Sequence, residues 1–343
     1  MKGWAFIAAA AVSSWACGRE REVRQPAQPA AGVERVVTAV ERAGLEHGVS
    51  DAIGPLPPAP VQGPNVAALG RDLFFSKVVS GDGRVACSSC HLPEHGFAAP
   101  DALSSVDGRP ESGVNTPSLL NVAYLTAFNW NGRFTRLDEH LDSLIQNPSV
   151  QATTWSSLAE RLAASPEWKG RFSSAFATGV SPDNARAALL AYERTLIAAD
   201  SPFDRWLAGD REAISSDARQ GYALFESHGC VSCHQGVLVG GNMFQRLGIM
   251  KPYFTEPSAV RDADLGRFAL TGRERDRYVF RVPSLRNVAL SAPYLHDGSQ
   301  PTLATVVSVM ASYQLGRDLE PDQIDQIVAF LETLTGRQPE AAP

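Results

Sequence analysis

Four cysteines and two histidines carry the most legible chemistry in this sequence, grouped as Cys87-Ser-Ser-Cys90-His91 and Cys230-Val-Ser-Cys233-His234. Each group sets two thiols one helical turn apart, which suits thioether bonds to the vinyl groups of a haem. The adjoining histidine can then lie under the iron. Paired Cys-x-x-Cys motifs also bind zinc or exchange disulfides, but neither use needs a histidine abutting both second cysteines. The pattern predicts two covalently bound haem c groups. Cys87, Cys90, Cys230 and Cys233 are the attachment points, and His91 and His234 are the proximal iron ligands.

What lies on the opposite face of each iron separates electron transfer from catalysis. An internal repeat bears on this. Pro117-Ser-Leu-Leu-Asn121-Val-Ala123 matches Pro283-Ser-Leu-Arg-Asn287-Val-Ala289 at an offset of 283 − 117 = 166 residues, held through Asn131-Gly132 and Asp297-Gly298. Upstream, Gly70-x-x-Leu73-Phe74 is echoed by Gly221-x-x-Leu224-Phe225. Met310 follows the run Pro293-Tyr-Leu-His296-Asp-Gly298; carried back by the offset it falls on Leu144 (310 − 166), which cannot coordinate iron. Met310 is therefore the expected distal ligand of the second haem. The first iron is expected to stay open to a small oxidant.

These residues need a scaffold, and the chain is long enough for one. Its 343 residues, 44% hydrophobic and 20% charged, suit a soluble protein of two domains, each with its own core. A net charge of −6 argues against a nucleic-acid surface. Apolar residues at helical spacing predict a helix over Asn184 to Ala199 and another through Ile324, Ile327, Val328, Leu331 and Leu334, entered at Pro321. No long β-branched alternation is present. The expected fold is mainly α: two cytochrome c-like haem domains related by internal duplication, with long connecting loops.

The remaining cysteine, Cys17, closes a short basic-then-apolar leader, so residues 1–17 read as an export signal. Ala16-Cys17 also fits a lipoprotein cleavage site, although Ser14 stands where that motif prefers an aliphatic residue. A lipidated Cys17 would tether the protein to a membrane. Residues 18–60 are expected to be an Ala/Pro-rich tether with at most a short helix around Val33 to Ala43. The first haem domain is expected over 61–204 and the second over 205–343.

The order Cys-x-x-Cys-His, Asn115-Thr-Pro117, Trp130-Asn-Gly-Arg133, second Cys-x-x-Cys-His, Tyr278-Val-Phe-Arg-Val-Pro283-Ser-Leu-Arg-Asn287-Val and Pro293-Tyr-Leu-His296-Asp-Gly298 resembles the bacterial di-haem cytochrome c peroxidases. The MauG-type oxidases, which modify a partner protein, belong to the same superfamily. The likeness runs from about residue 65 to 337 and is closer in the C-terminal half, including Gly240-Gly-Asn-Met-Phe and Gln314-Leu-Gly-Arg317. It implies a low-potential, peroxide-reducing first haem and a high-potential second haem where electrons enter, with Trp130 between them. It further implies a calcium ion held by the Asn115 side chain and the backbone carbonyls of Ser291 and Pro293, and a homodimer.

Three positions depart from the family pattern. Asp107 stands where many members carry a histidine that blocks the peroxide site until the other haem is reduced, and His95 is too close behind His91 to swing across. The first site is thus expected to be open without reductive activation. The family's distal glutamine and catalytic glutamate match His140 and Val150. Valine cannot move a proton; an imidazole can, so His140 is the candidate acid–base, although a lone histidine often only packs. Asp138, Glu139 and Asp142 are the fallback carboxylates. The MauG type has tyrosine where Met310 stands, which favours the peroxidase.

The expected function is periplasmic reduction of hydrogen peroxide to water with electrons from a small cytochrome c or copper protein. The rivals are a MauG-like oxidase of a partner protein and a non-catalytic di-haem electron carrier.

Overall fold

A computed structural model describes residues 52–104, 113–256 and 259–339. Cys17, the segment Val33 to Ala43 and Asp107 lie outside these residues. The described chain is mainly helical: α1 (Pro64–Phe74), α2 (Leu137–Gln146), α3 (Trp155–Ala164), α4 (Pro166–Ala175), α5 (Pro182–Thr195), α6 (Pro202–Leu207), α7 (Ser216–Ser227), α8 (Phe268–Thr271), α9 (Leu303–Val309) and α10 (Pro321–Glu332). Two short strands, β1 (Phe244–Arg246) and β2 (Val279–Arg281), pair antiparallel with Phe244 opposite Arg281. No described helix is long and apolar enough to cross a membrane.

Both expected helices form, but α5 stops at Thr195, four residues short of the expected Ala199, and α10 stops at Glu332, before Leu334; local chemistry sets their ends. Ser181 caps α5 by accepting from the Asn184 N–H, and Pro182 opens it with a φ already suited to a helix. Pro321 opens α10 in the same way. Each then packs against an earlier helix through a glycine. A Cβ on Gly70 of α1 would collide with the Ala188 carbonyl of α5, and one on Gly221 of α7 with the Gln326 carbonyl of α10. Only glycine allows these backbones to meet. Around the first contact, Leu73, Phe74, Leu189 and Leu196 are buried; around the second, Phe225, Ile327, Phe330 and Leu334 are. Each such side chain contributes about 1.5–3 kcal/mol through burial.

The turn at each matched asparagine also recurs in detail. Asn121 and Asn287 both adopt a positive φ, 64° and 62°. Asn121 N–H donates to the Leu196 carbonyl (2.7 Å) and its Oδ1 accepts from Ala198 N–H (3.0 Å). Asn287 makes the same pair of bonds with Leu334 (3.1 Å) and Gly336 (2.9 Å). The offset between matched residues is 166 for the asparagines, and for the starts of α2 and α9 at Leu137 and Leu303. It falls to 138 by the α5 and α10 contact, where 188 pairs with 326. The difference is taken up by α3 and α4, which only the first half carries.

One boundary differs from the sequence reading. Residues 52–60, expected to end a loose tether, are packed: Ile53 is buried in the second core, and Arg286 Nη2 donates to the Gly54 carbonyl (2.8 Å). Tyr124 Oη donates to the carbonyls of Pro57 and Pro58. A proline-rich strand has no internal hydrogen bonds, so its carbonyls are free to be captured by side chains of both halves.

Candidate functional site

Both cysteine–histidine groups fold as one tight turn. The His91 N–H donates to the Cys87 carbonyl (3.1 Å) and the His234 N–H to the Cys230 carbonyl (3.0 Å). Burial pushes the Cys87 thiol up to about 12 and the Cys230 thiol up to about 11. Thiols so raised stay protonated at neutral pH, which disfavours disulfide exchange. The four cysteines are free, and among the described residues the two groups do not gather into the four-ligand cluster a structural zinc needs. Thioether attachment is the chemistry the spacing of each turn suits.

Each histidine is aimed by its outer nitrogen. His91 Nδ1 donates to the Phe97 carbonyl (2.9 Å), and His234 Nδ1 more loosely to Val239 (3.4 Å). The tautomer this favours keeps the Nε2 lone pair for a metal. Burial lowers both imidazole pKa values, that of His234 to about 4, so both are neutral at physiological pH, as an iron ligand must be.

The second group opens onto a cavity with an empty volume of about 1280 Å³, mouth included. Cys230, Cys233 and His234 lie on its wall, together with Met310, which follows α9 at the start of a π-helical turn (Met310–Gln314). Phe225, Leu285, Val306, Leu331 and other apolar residues make up most of the lining, with Arg281, His296, Gln245 and Gln314 among the polar ones. An apolar slot bearing an imidazole and a thioether suits a haem with raised potential. Methionine and histidine, separated by 76 residues (310 − 234), line one cavity.

Around the first group the matching helix is α2. By the 166 offset, its His140 and Leu144 occupy the places of Val306 and Met310, both of which line the second cavity. His140 is held between Phe128, stacked at 5.6 Å, and Phe134 at 5.7 Å. Its Nε2 donates to Asn129 Oδ1 (2.8 Å), leaving Nδ1 with the lone pair. Burial first, then the fields of His91 and Arg281, lower its pKa to about 4. His140 is thus a neutral proton acceptor near His91. The fallback carboxylates are committed elsewhere: Asp142 to Arg186 (2.6 Å) and Trp155, and Asp138 to Arg136 (2.5 Å). Glu139 is exposed beside Arg136. Val150 follows α2 and carries no titratable group.

Trp130 joins the halves. Its Nε1–H donates to the Asn115 carbonyl (2.8 Å), and its own carbonyl accepts from the Arg281 N–H (2.8 Å). Its ring meets His296 edge-on at 6.4 Å, and His296 is anchored on Asp264 (2.8 Å). Asn115, Ser291 and Pro293 line a second cavity of about 710 Å³ that also contacts Trp130. Their oxygens are of the type calcium uses, but no described carboxylate lines that cavity, while Arg281 and Arg286 do. Asn129, the His296–Asp264 pair and Arg281 were not singled out by the sequence. Arg281 and His296 lay inside quoted motifs, whereas nothing in the pattern distinguished Asn129.

Comparisons with known proteins agree with this arrangement. A model of the di-haem cytochrome c peroxidase family matches residues 64–212. The cytochrome c551 peroxidase of Nitrosomonas europaea is 39% identical over 294 residues, which is 85% of this chain and 86% of the relative. That of Pseudomonas aeruginosa is 37% identical over 274 residues, 79% of each chain. A solved structure of a MauG-like protein associated with microbial copper homeostasis aligns with a TM-score of 0.72 at 25% identity, over 82% of this chain and 93% of that one.

Proposed function

Because the chain belongs to the di-haem cytochrome c peroxidase family, we propose that it is an exported di-haem c-type peroxidase. In this reading it reduces hydrogen peroxide to water with electrons from a small cytochrome c or copper protein. The observation that carries the reading is the unequal pair of distal helices. Met310 lines the cavity of His234, and its counterpart on α2 at the 166 offset is Leu144, which has no group to bind iron.

When bound, each haem supplies a redox-active iron, and an iron with a free sixth position binds peroxide. The chain's own groups do the rest. Cys87, Cys90, Cys230 and Cys233 fix the two rings, and His91 and His234 present Nε2 to them. Met310 would offer its thioether sulfur to the iron of the second centre. His140, neutral and fixed by Asn129, accepts through Nδ1 the proton that peroxide must lose and returns it to the departing oxygen. Trp130, hydrogen-bonded at both its ring and its backbone, is a rigid bridge between the centres. The calcium that the resemblance implies at Asn115, Ser291 and Pro293 forms no part of this reading, because Arg281 and Arg286 line that cavity and no described carboxylate does. The matched glycine and asparagine contacts support two haem domains, 61–204 and 205–343, descended from one by duplication. Export to the periplasm, lipidation at Cys17 and assembly as a homodimer complete the proposal.

Rapid mixing of the half-reduced holoprotein with peroxide tests the function. Both haem spectra should change, followed by turnover when reduced cytochrome c is supplied. Spectra indifferent to peroxide would reject it in favour of an electron carrier. Replacement of the family's glutamine and glutamate by His140 and Val150 favours a second reading, a MauG-like oxidase of a partner protein. Slow turnover with small donors beside fast oxidation of a co-purifying protein would select it.

A further inference from the structure

Two buried arginines lie five residues apart in the segment that crosses between the halves, and their surroundings are opposite. Arg286 is 4% exposed and fully engaged: its guanidinium donates to both oxygens of Asp204 (2.8 and 2.9 Å) and to the carbonyls of Val237 and Gly54. Arg281, at the end of β2, is 5% exposed. Its Nε is buried without a hydrogen-bond partner, and no carboxylate among the described residues forms an ion pair with its side chain. Desolvation alone pushes its guanidinium down to about 10, still a permanent cation at neutral pH.

An unpaired charge in such a place costs several kcal/mol, and a fold retains it when something supplies the opposite charge. The position says what that is. Arg281 lines both the cavity of His234 and Met310 and the cavity beside Trp130, so it stands in the wall the two share. That wall otherwise offers Trp130, Pro283, Val288, Tyr294 and Leu295, none of them anionic. A haem carries two propionate carboxylates on the edge opposite its thioether bonds.

We propose that Arg281 is the counter-charge of a propionate of the second haem and that its fixed positive charge raises the potential of that centre. The inference rests on the di-haem reading above and adds a residue that sets which centre holds the electron. A cation beside the ring disfavours the ferric over the ferrous state, and pairing the propionate removes a negative charge that would favour ferric. Both effects have the same sign. Arg281 touches no reacting atom in this role; it acts by its field and by orienting the ring.

Spectroelectrochemical titration of the full-length holoprotein tests it with R281M and R281K, after haem content has been counted by the pyridine haemochrome spectrum. R281M, an apolar residue of similar reach, should shift the ferrous-to-ferric ratio of the second centre at least tenfold toward ferric, a fall of 59 mV for one electron. R281K should recover more than half of that shift, and the first centre should move less in both. An R281M protein with two haems and an unchanged second potential would overturn the proposal. Should R281M take up no second haem, R281K decides: a second haem near the wild-type potential supports the charge requirement, and its absence assigns Arg281 to packing. Wild-type protein with fewer than two haems would instead overturn the di-haem reading itself.

Discussion

The two cysteine–histidine centres are built on the same contacts and finished differently. Both have a glycine-mediated helix crossing, a positive-φ asparagine tied to the following helix end, and a histidine whose Nδ1 is held by a backbone carbonyl. They part at the distal segment, where α2 carries His140 and Leu144, while α9 carries Val306 and the π-helical turn after it carries Met310. A second divergence lies in the helices behind. By the 138 offset, Tyr192 and Glu193 of α5 match Phe330 and Leu331 of α10, all four being buried. The lesson is an economical one. In the proposed reading, the shared scaffold serves to hold a haem, and a few distal side chains set what each centre does.

The sharpest way to break the comparison is to make the distal helices alike. In L144M a thioether is placed over the first centre, and peroxide reduction should fall by at least about a hundredfold as that iron becomes six-coordinate and low-spin. Activity retained with a low-spin first haem would mean that peroxide reacts elsewhere. H140A should lower kcat/KM for peroxide by about 10²–10³ with the resting spectrum unchanged, the usual worth of a placed acid–base group. An unchanged rate would reduce His140 to packing between Phe128 and Phe134.

Acid should probe His140 itself. His140 has a folded pKa of about 4 against 6.5 when exposed, so the unfolded chain binds the extra proton between those values. The stability that depends on its neutral form is whole above about pH 6.5 and is lost as pH falls toward 4, by at most about 3 kcal/mol. Urea titrations at pH 7 and pH 4.5 should show that loss in the wild type and a smaller one in H140F. A smaller effect still, and one expected to be equal on both sides, concerns the shared scaffold. N121A and N287A each strand a buried N–H, of Ala198 and Gly336, at a cost of about 1–3 kcal/mol. Markedly unequal melting shifts would show that the matched turns bear different loads.

Much of this was readable in the residues because the informative signals were local. Cys-x-x-Cys-His, the repeat around Pro117 and Pro283, and the apolar spacing from Ile324 to Leu331 each sit within one element. The contribution of residues 52–60 was not readable. A proline-rich strand looks like a linker until the side chains that capture its carbonyls, Tyr124 and Arg286, are brought to it from far along the chain. The change of offset from 166 to 138 was hidden because α3 and α4 lack a partner in the second half. Arg281 and Arg286 are alike in sequence context, and only three-dimensional packing shows that Asp204 serves one of them.

Electron paramagnetic resonance of the fully oxidised, full-length holoprotein examines the inequality of the two centres without any substrate. One high-spin ferric signal and one low-spin ferric signal are expected, the low-spin signal alone turning high-spin in M310L. Two low-spin signals in the wild type would contradict an open first centre.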